Sequence, residues 1–180
     1  MEQVVLLDPA GAPIGVADKA AVHGETTPYH LAFSSYVFDA AGRFLVSQRA
    51  LSKATFPGIW TNSCCGHPGP GEDPEQAVRR RLHQELGLTP TQLELALPDF
   101  SYRASFLGVE EYELCPVYLA RVDAEPTPDP SEVETVQWWD WPQFVRAALA
   151  ADSVLSPWSQ EQVRRLQDDG HVARFLGRVP

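Results

Sequence analysis

Residues 66–88 read GHPGPGEDPEQAVRRRLHQELGL, a loop followed by one strongly signalled helix. Five of the first six positions are glycine or proline, which excludes regular structure there. The helix-boundary signals are Asp73, Pro74, Gln76 and Gly87. They suit, in that order, an N-cap, the first helical position, a capping box and the left-handed residue after the last turn. The sequence therefore predicts a loop, a helix over residues 74–86 and a second loop.

The predicted helix has one apolar face and one charged face. Val78, Leu82 and Leu86 recur every fourth residue and form a stripe for burial. Arg81 and Glu85 lie one turn apart on a neighbouring face. That face can meet a ligand, and the alternative is an ordinary amphipathic helix without one.

The rest of the chain mixes strand and helix signals. The β-rich runs 30–38 and 44–48 flank a short turn and predict a hairpin. Further strands are expected at 100–106, 111–122 and 134–141, a proline-rich loop at 123–132, and helices at 143–151 and 156–169, with no clear signal in the last ten residues. Because regular βαβ alternation is absent, we expect an α/β fold, a sandwich of helices around a mixed β-sheet. A chain of 180 residues fits one such domain, residues 1–180.

Composition narrows the function classes. The net charge of −10 and the pI near 4.8 argue against a nucleic-acid partner, which requires a broad basic face. No apolar stretch reaches the roughly 20 residues of a membrane span, and the amino end has no pattern of a basic segment followed by an apolar one. Three cysteines, two of them adjacent, are a poor disulfide framework. We therefore expect a cytoplasmic protein without a membrane or nucleic-acid partner.

The loop and helix resemble a Nudix box, a segment that directs several glutamates at a magnesium ion on a diphosphate. The matching positions are Gly66, Glu72, Arg80, Leu82, Glu85, Gly87 and Leu88. Two glutamates of the box are replaced here, by Arg81 and Gln84. Because hydrolysis at phosphorus needs several carboxylates to hold magnesium and orient water, the pair that remains points away from a hydrolase.

A second group of residues has the donor types of a divalent metal site: His23, His30, His67, Glu111 and Glu113. Residues two apart in a strand share a face, so both glutamates project to the same side. Carboxylates facing a core are costly unless they are paired or bind a cation. Three imidazoles and two carboxylates without a thiolate suit manganese, with zinc as the alternative. The competing interpretation buries the other face of the strand and leaves the glutamates in solvent.

Several stretches together resemble one enzyme family. They are K-x3-H-x6-H-L-A-F-S-S, R-A-L-S-K, F-P-G-I-W-T-N-S-C-C-G-H-P, Y-R-A, E-Y-E-L-C-P-V and S-P-W, in order from Lys19 to Trp158. This pattern resembles type I isopentenyl diphosphate isomerase, which has a Nudix-like fold. The family interconverts isopentenyl and dimethylallyl diphosphate by adding one proton to carbon and removing another.

The resemblance implies a role for each matching residue. It implies a Mn²⁺ or Zn²⁺ ion bound by His23, His30, His67, Glu111 and Glu113, and a Mg²⁺ ion bound by Glu85 with the substrate diphosphate. The implied acid/base residues are Cys65 and Glu113, with Tyr102 assisting. The implied diphosphate-binding cations are Lys19, Arg49, Lys53 and Arg81. Each of these cations is, alternatively, an ordinary solvated surface charge. Cys64 is expected only to pack, and the protein is expected to be a monomer acting on a small diphosphate.

The implied reaction makes physical demands on the site. Protonating the alkene gives a tertiary carbocation, so the pocket must be dry and must stabilise positive charge without a nucleophile. Trp158 is implied to supply an aromatic face to the cation, although a core tryptophan is an equal interpretation of the sequence. A lowered pKa of Cys65 near His67 and a metal is a further expectation. Two rival functions are a Nudix hydrolase and a binding module without turnover.

Overall fold

The computed structural model describes residues 2–177. The strands are β1 (Gln3–Leu7), β2 (Pro13–Asp18), β3 (His30–Leu31), β4 (Phe33–Phe38), β5 (Arg43–Arg49), β6 (Trp60–Thr61), β7 (Cys64–Gly66), β8 (Gln92–Leu97), β9 (Ser101–Phe106), β10 (Val109–Leu114), β11 (Val117–Arg121) and β12 (Val133–Asp140). The helices are α1 (Lys19–Val22), α2 (Pro74–Leu86), α3 (Trp141–Leu149), α4 (Pro157–Asp168) and α5 (His171–Phe175).

The strands form two mixed sheets. The first has five strands in the order β2-β1-β3-β10-β9. The second has seven, with the order β12-β5-β4-β11-β8 and with β6 and β7 paired to β5 and β4. Each sheet contains one parallel pair, β3 with β10 in the first and β4 with β11 in the second.

Helices cover both faces of the larger sheet. On one face, α2 packs Val78, Leu82 and Leu86 against Phe33 and Val37 of β4. On the other face, residues of α3, α4 and α5 join a second core with the alternate residues of β4. Successive side chains of a strand point to opposite faces, so β4 serves both cores. The α/β sandwich expected from the sequence is confirmed.

Two neighbouring segments of the chain, β3–β4 and β10–β11, cross from the smaller sheet to the larger one side by side. The chain crosses at Ala32, between β3 and β4, and at Cys115–Pro116, between β10 and β11. The amide of Ala32 donates to the carbonyl of Leu114 at 2.8 Å, and the amide of Ser34 donates to that of Pro116 at 3.0 Å. The parallel ladder therefore continues across the junction and joins the sheets.

The best-signalled elements lie where the sequence predicts them. Helix α2 spans the predicted residues 74–86, with the Asp73 side chain accepting from the amide of Gln76 at 3.1 Å and Gly87 at φ 66°. The hairpin of β4 and β5 is also confirmed.

Other predictions need correction. The single strand expected at 111–122 is wrong, because Pro116 has no amide hydrogen for a sheet ladder and the segment divides into β10 and β11 in different sheets. The hairpin of β1 and β2 and strand β8 were not predicted. Within the last ten residues, α5 begins at His171, and residues 178–180 lie outside the described part.

Across residues 2–177, the helices lack the combination of length and apolar character that spanning a lipid bilayer requires.

Candidate active site

Three histidines and one glutamate converge on a single point. The ligand atoms of His23, His30, His67 and Glu113 all lie within 4.8 Å of one another, the group that converges in this way within residues 2–177. Parallel pairing of β3 with β10 puts His30 directly beside Glu113. His67 follows β7, and His23 follows α1. Four separate elements therefore bring the donors to one place.

Distances between these donors fit one divalent ion. Nε2 of His67 lies 3.1 Å from Oε1 of Glu113 and 3.2 Å from Nε2 of His30, which is 3.3 Å from the same carboxylate oxygen. Two ligands bound at right angles and about 2.1 Å from an ion lie about 3.0 Å apart. Nδ1 of His30 lies 2.9 Å from the carbonyl oxygen of Pro28, which can accept its hydrogen and leave Nε2 free to bind a metal.

The electrostatics of the group also suit a cation. Burial, assisted by the charges of His67 and His30, lowers the pKa of His23 to about 4, and its buried Nε2 has no hydrogen-bond partner among residues 2–177. Burial also lowers the pKa of His67. Burial opposes the charge of Glu113, but hydrogen bonds from His30 and His67 hold its pKa well below the usual value. For His30, burial is outweighed by the hydrogen bond and charge of Glu113, which raise its pKa. The neutral form is thus favoured for His23 and His67, and metal binding requires neutral imidazoles beside an ionised carboxylate.

Glu111 is linked to this group through Tyr102. The Tyr102 hydroxyl lies 2.7 Å from Oε2 of Glu111 and 2.9 Å from Oε2 of Glu113. Both glutamates are buried at about 5% exposure, which rules out the interpretation that leaves them in solvent. Burial and the neighbouring Glu113 charge raise the pKa of Glu111, and burial raises the pKa of Tyr102 well above its usual value. A protonated phenol thus faces two buried carboxyl groups.

The Cys65 thiol faces the same cavity from strand β7. Its sulfur donates to Oδ1 of Asn62 at 3.3 Å and lies 3.4 Å from Oγ of Ser34. Burial raises the pKa of Cys65 to about 11, opposite to the lowering expected from the sequence. The protonated form is therefore favoured, as a proton donor requires. Cys64 points the other way, into the core against α2.

Trp158 is both a core residue and a wall of the cavity. It is 1% exposed, and its ring lies 5.0 Å from Phe56 and 5.5 Å from Tyr102. Its indole N–H donates to Oδ1 of Asn62 at 2.9 Å. Phe56 has a backbone φ of 46°, in the left-handed region, which is strained for a residue with a side chain. The two interpretations of Trp158 offered by the sequence are therefore compatible.

Each expected diphosphate-binding cation also lines the cavity. Lys19 pairs with Glu2 at 2.6 Å, and Lys53 pairs with Glu132. The guanidinium of Arg49 donates to the carbonyl oxygen of Thr55 at 2.7 Å, and its Cζ lies 5.9 Å from the Trp158 ring centroid.

Arg81 on helix α2 contacts two acidic side chains, one on the same helix and one just before β12. It is 5% exposed, pairs with Glu85 one turn later, and lies 3.1 Å from Glu132. Glu72, the other glutamate left in the box, pairs with Arg80 at 2.8 Å. The substitution at position 81 thus puts a cation where a Nudix box has a carboxylate.

One cavity of about 450 Å³ unites these groups. It is lined by Lys19, His23, Arg49, Lys53, Cys65, His67, Arg81, Tyr102, Glu111, Glu113, Glu132 and Trp158, among others. His30 is fully buried behind this lining, and Glu85 reaches it through Arg81. Four further residues at the site have no role predicted from the sequence, because their contacts form only in the fold: Glu2, Ser34, Asn62 and Glu132.

Comparison with known proteins agrees with this geometry. Residues 28–161 match the NUDIX domain. The isopentenyl-diphosphate Delta-isomerase of Frankia alni is 57% identical over 171 residues, covering 94% of this chain and 88% of that protein. The enzyme of the same name from Saccharopolyspora erythraea is 52% identical with the same coverage.

Solved structures give the same architecture. A Deinococcus radiodurans protein solved at 1.9 Å superposes with a TM-score of 0.69 at 24% identity, covering 91% of this chain and 98% of that one. This likeness concerns the fold, whereas the family rests on the sequence identities. The chain therefore belongs to the isopentenyl-diphosphate Delta-isomerase family, built on a NUDIX domain.

Proposed function

We propose that this protein interconverts isopentenyl and dimethylallyl diphosphate in isoprenoid biosynthesis. One observation carries the proposal: the Cys65 thiol and the carboxyl of Glu113, with Tyr102 beside it, line one cavity whose wall includes Trp158. The Nudix-box position occupied by Arg81 supports isomerisation over hydrolysis, because it carries a cation instead of a magnesium-binding carboxylate. The names of relatives more than half identical support the same conclusion.

The reaction moves two protons and leaves the diphosphate bonded. An acid adds a proton to the terminal CH₂ of isopentenyl diphosphate, and the positive charge falls on the tertiary carbon. A base then removes a proton from the CH₂ on the other side of that carbon, which creates the new double bond. Cys65 and Glu113 form the acid/base pair, and the Tyr102 hydroxyl holds the glutamate.

The buried aromatic wall stabilises the intermediate charge. A desolvated cation over an indole face gains on the order of 2 kcal/mol. Trp158 and Tyr102 supply rings without a strong nucleophile, and their burial keeps water from the cation.

Binding of the diphosphate falls to the cations of the cavity. The diphosphate is bound by Lys19, Arg49, Lys53 and Arg81. It replaces carboxylates such as Glu132, which neutralises Lys53 and Arg81 in the free protein. His23, His30, His67 and Glu113, with Glu111 beside them, would hold a Mn²⁺ or Zn²⁺ ion, and Glu85 would hold Mg²⁺ together with the substrate. When bound, these ions offset the negative charge of Glu113 and of the diphosphate.

The protein is further proposed to act as a monomer in the cytoplasm, as a single domain over residues 1–180. Its three free cysteines support a reducing compartment.

Turnover in heavy water tests the function. With magnesium and manganese present, isopentenyl diphosphate should give dimethylallyl diphosphate with deuterium in the newly formed methyl group. Proton NMR and mass spectrometry follow both carbon labelling and the diphosphate. Phosphate release without deuterium on carbon would favour a hydrolase instead. Metal binding without either change would leave a silent binding module.

A further inference from the structure

Asn62 lies at the centre of the hydrogen bonds behind the Cys65 thiol. It falls between β6 and β7 and is 0% exposed. Its backbone amide donates to Oγ of Ser159 at 3.1 Å, and its carbonyl accepts from Oγ of Ser47 at 2.7 Å. The residue is therefore held from helix α4 on one side and strand β5 on the other.

The side-chain amide has one orientation that satisfies its neighbours. Nδ2 donates to the carbonyl oxygens of Ser35 at 3.1 Å and Cys64 at 3.0 Å. These two groups are acceptors only, so the nitrogen must face them and the oxygen must face the opposite way, towards Trp158 and Cys65. A carboxylate in the same place would set one of its oxygens against two carbonyl oxygens.

The oxygen then meets the two side chains on which the reaction depends. Oδ1 accepts from the Trp158 N–H at 2.9 Å and from the Cys65 S–H at 3.3 Å. It also lies 2.8 Å from Oγ1 of Thr61 and 3.3 Å from Oγ of Ser159, two hydroxyls that hydrogen-bond with each other. Because the indole N–H is a fixed donor in the ring plane, this contact holds the edge of the ring in place, and packing against Phe56 and Tyr102 sets its tilt.

We propose that Asn62 is a positioning residue that holds the Cys65 thiol and the Trp158 ring at a fixed separation through one shared acceptor. The proton donor and the ring that faces the developing cation must be in place together, and a small misplacement of reacting groups can cost about 10²-fold in rate. The inference rests on the proposed isomerisation, since it assigns a role within that reaction.

The test compares Asn62→Ala with Ser63→Ala. Ser63 is the next residue, is equally buried, and hydrogen-bonds to Val37 and Leu45, outside the cavity lining. Both variants lose a buried polar group, so both lose stability. In Asn62→Ala we expect kcat for isopentenyl diphosphate to fall about 10²-fold while KM and bound metal stay near wild type. In Ser63→Ala kcat should stay near wild type. Equal kcat in the two variants would overturn the assignment.

A second replacement keeps the test informative if Asn62→Ala does not fold. Substituting Trp158 with 3-benzothienylalanine keeps a bicyclic aromatic face and removes only the N–H donor. The expected result is a fall in kcat of about fivefold, as for the loss of one hydrogen bond, with KM unchanged. An unchanged kcat would count against Asn62 as the shared acceptor. Wild-type turnover is measured alongside, so an inactive wild type points to the proposed function and not to Asn62.

Discussion

Cys64 and Cys65 are adjacent in strand β7 and have opposite surroundings. Consecutive strand residues point to opposite faces, so Cys64 packs against α2 while Cys65 lines the cavity. Their chemistry is therefore set by strand geometry and not by residue type.

Alanine substitution should separate the two thiols. We expect Cys65→Ala to lose about 10²–10⁴-fold or more in turnover, because a proton-transfer group contributes that much. Cys64→Ala should retain most of its activity and lose roughly 1 kcal/mol of unfolding free energy through the small cavity it leaves. Initial rates and urea unfolding measure both effects. Similar rates in the two variants would contradict the assignment of Cys65.

Glu132 carries a prediction about acid stability. Burial alone would raise the pKa of Glu132, but the hydrogen bonds and charges of Lys53 and Arg81 have the larger effect and lower it from 4.5 to about 2. The folded protein thus binds this proton less readily than the unfolded chain. The stabilisation is fully present above pH 4.5 and is lost as the pH falls towards 2.

Glu132→Gln should remove this pH dependence. Because the side chain remains partly open to solvent, we expect a loss of roughly 1–2 kcal/mol at neutral pH, less than the full pKa shift implies. The difference from wild type should shrink as the pH is lowered, measured by urea unfolding along a pH series. A difference that is constant with pH would show that the charge of Glu132 is not its cause.

The site residues divide into those the sequence can reveal and those it cannot. Sparse histidines, a thiol before Gly66 and glutamates two apart stand out by type and spacing. Asn62 and Glu132 are common residue types in loops, and their contacts are with residues such as Trp158, 96 positions away, and Lys53, 79 positions away. Only the folded chain brings those partners together.

Helix α2 shows how local signals define an element. Its cap, its apolar stripe and its terminal glycine all act within a few residues, which is why its predicted limits match the structure. Strand β2 has mostly exposed side chains and strand β8 has three exposed positions, so neither carries a burial pattern that the sequence alone could reveal. The break at Pro116 depends on which sheet each half joins, a tertiary property.

Two features of the structure require a glycine at position 87, at the end of α2: a left-handed backbone and the close approach of Thr127. Gly87 has φ 66°, and a Cβ there would lie 1.9 Å from Oγ1 of Thr127. Gly71 has a similar φ of 73° with open space around it. Gly71→Ala should therefore cost only the backbone strain, about 1–2 kcal/mol. Gly87→Ala should cost roughly 1–3 kcal/mol more through overpacking. Thermal unfolding of both compares them directly, and equal losses would exclude a role for Thr127.

At the level of the whole molecule, His23, His30 and Glu113 come from the smaller sheet and the segments next to it, whereas Cys65 and His67 come from β7 of the larger sheet and the loop after it. Both sheets must be docked for the site to exist.

Removing single donors should reveal the shared ion. We expect His67→Ala and Glu113→Gln each to reduce the divalent metal bound per chain, because their donor atoms converge on one point. His83→Ala, an exposed histidine on α2, is the control and should bind as wild type does. Elemental analysis after dialysis gives the ratio. Wild-type stoichiometry in both donor variants would exclude a common site.

The junction at Ala32 and Cys115–Pro116 also governs how the protein opens. Two amides span it, donating from Ala32 and Ser34 to carbonyls of the neighbouring strand. Because each strand pair continues from one sheet into the other, neither sheet can separate without breaking that ladder. In deuterated buffer, these two amides should exchange only through global unfolding, so their exchange free energies should equal the unfolding free energy from urea. A molecule joined in this way loses its fold and its site in one cooperative step.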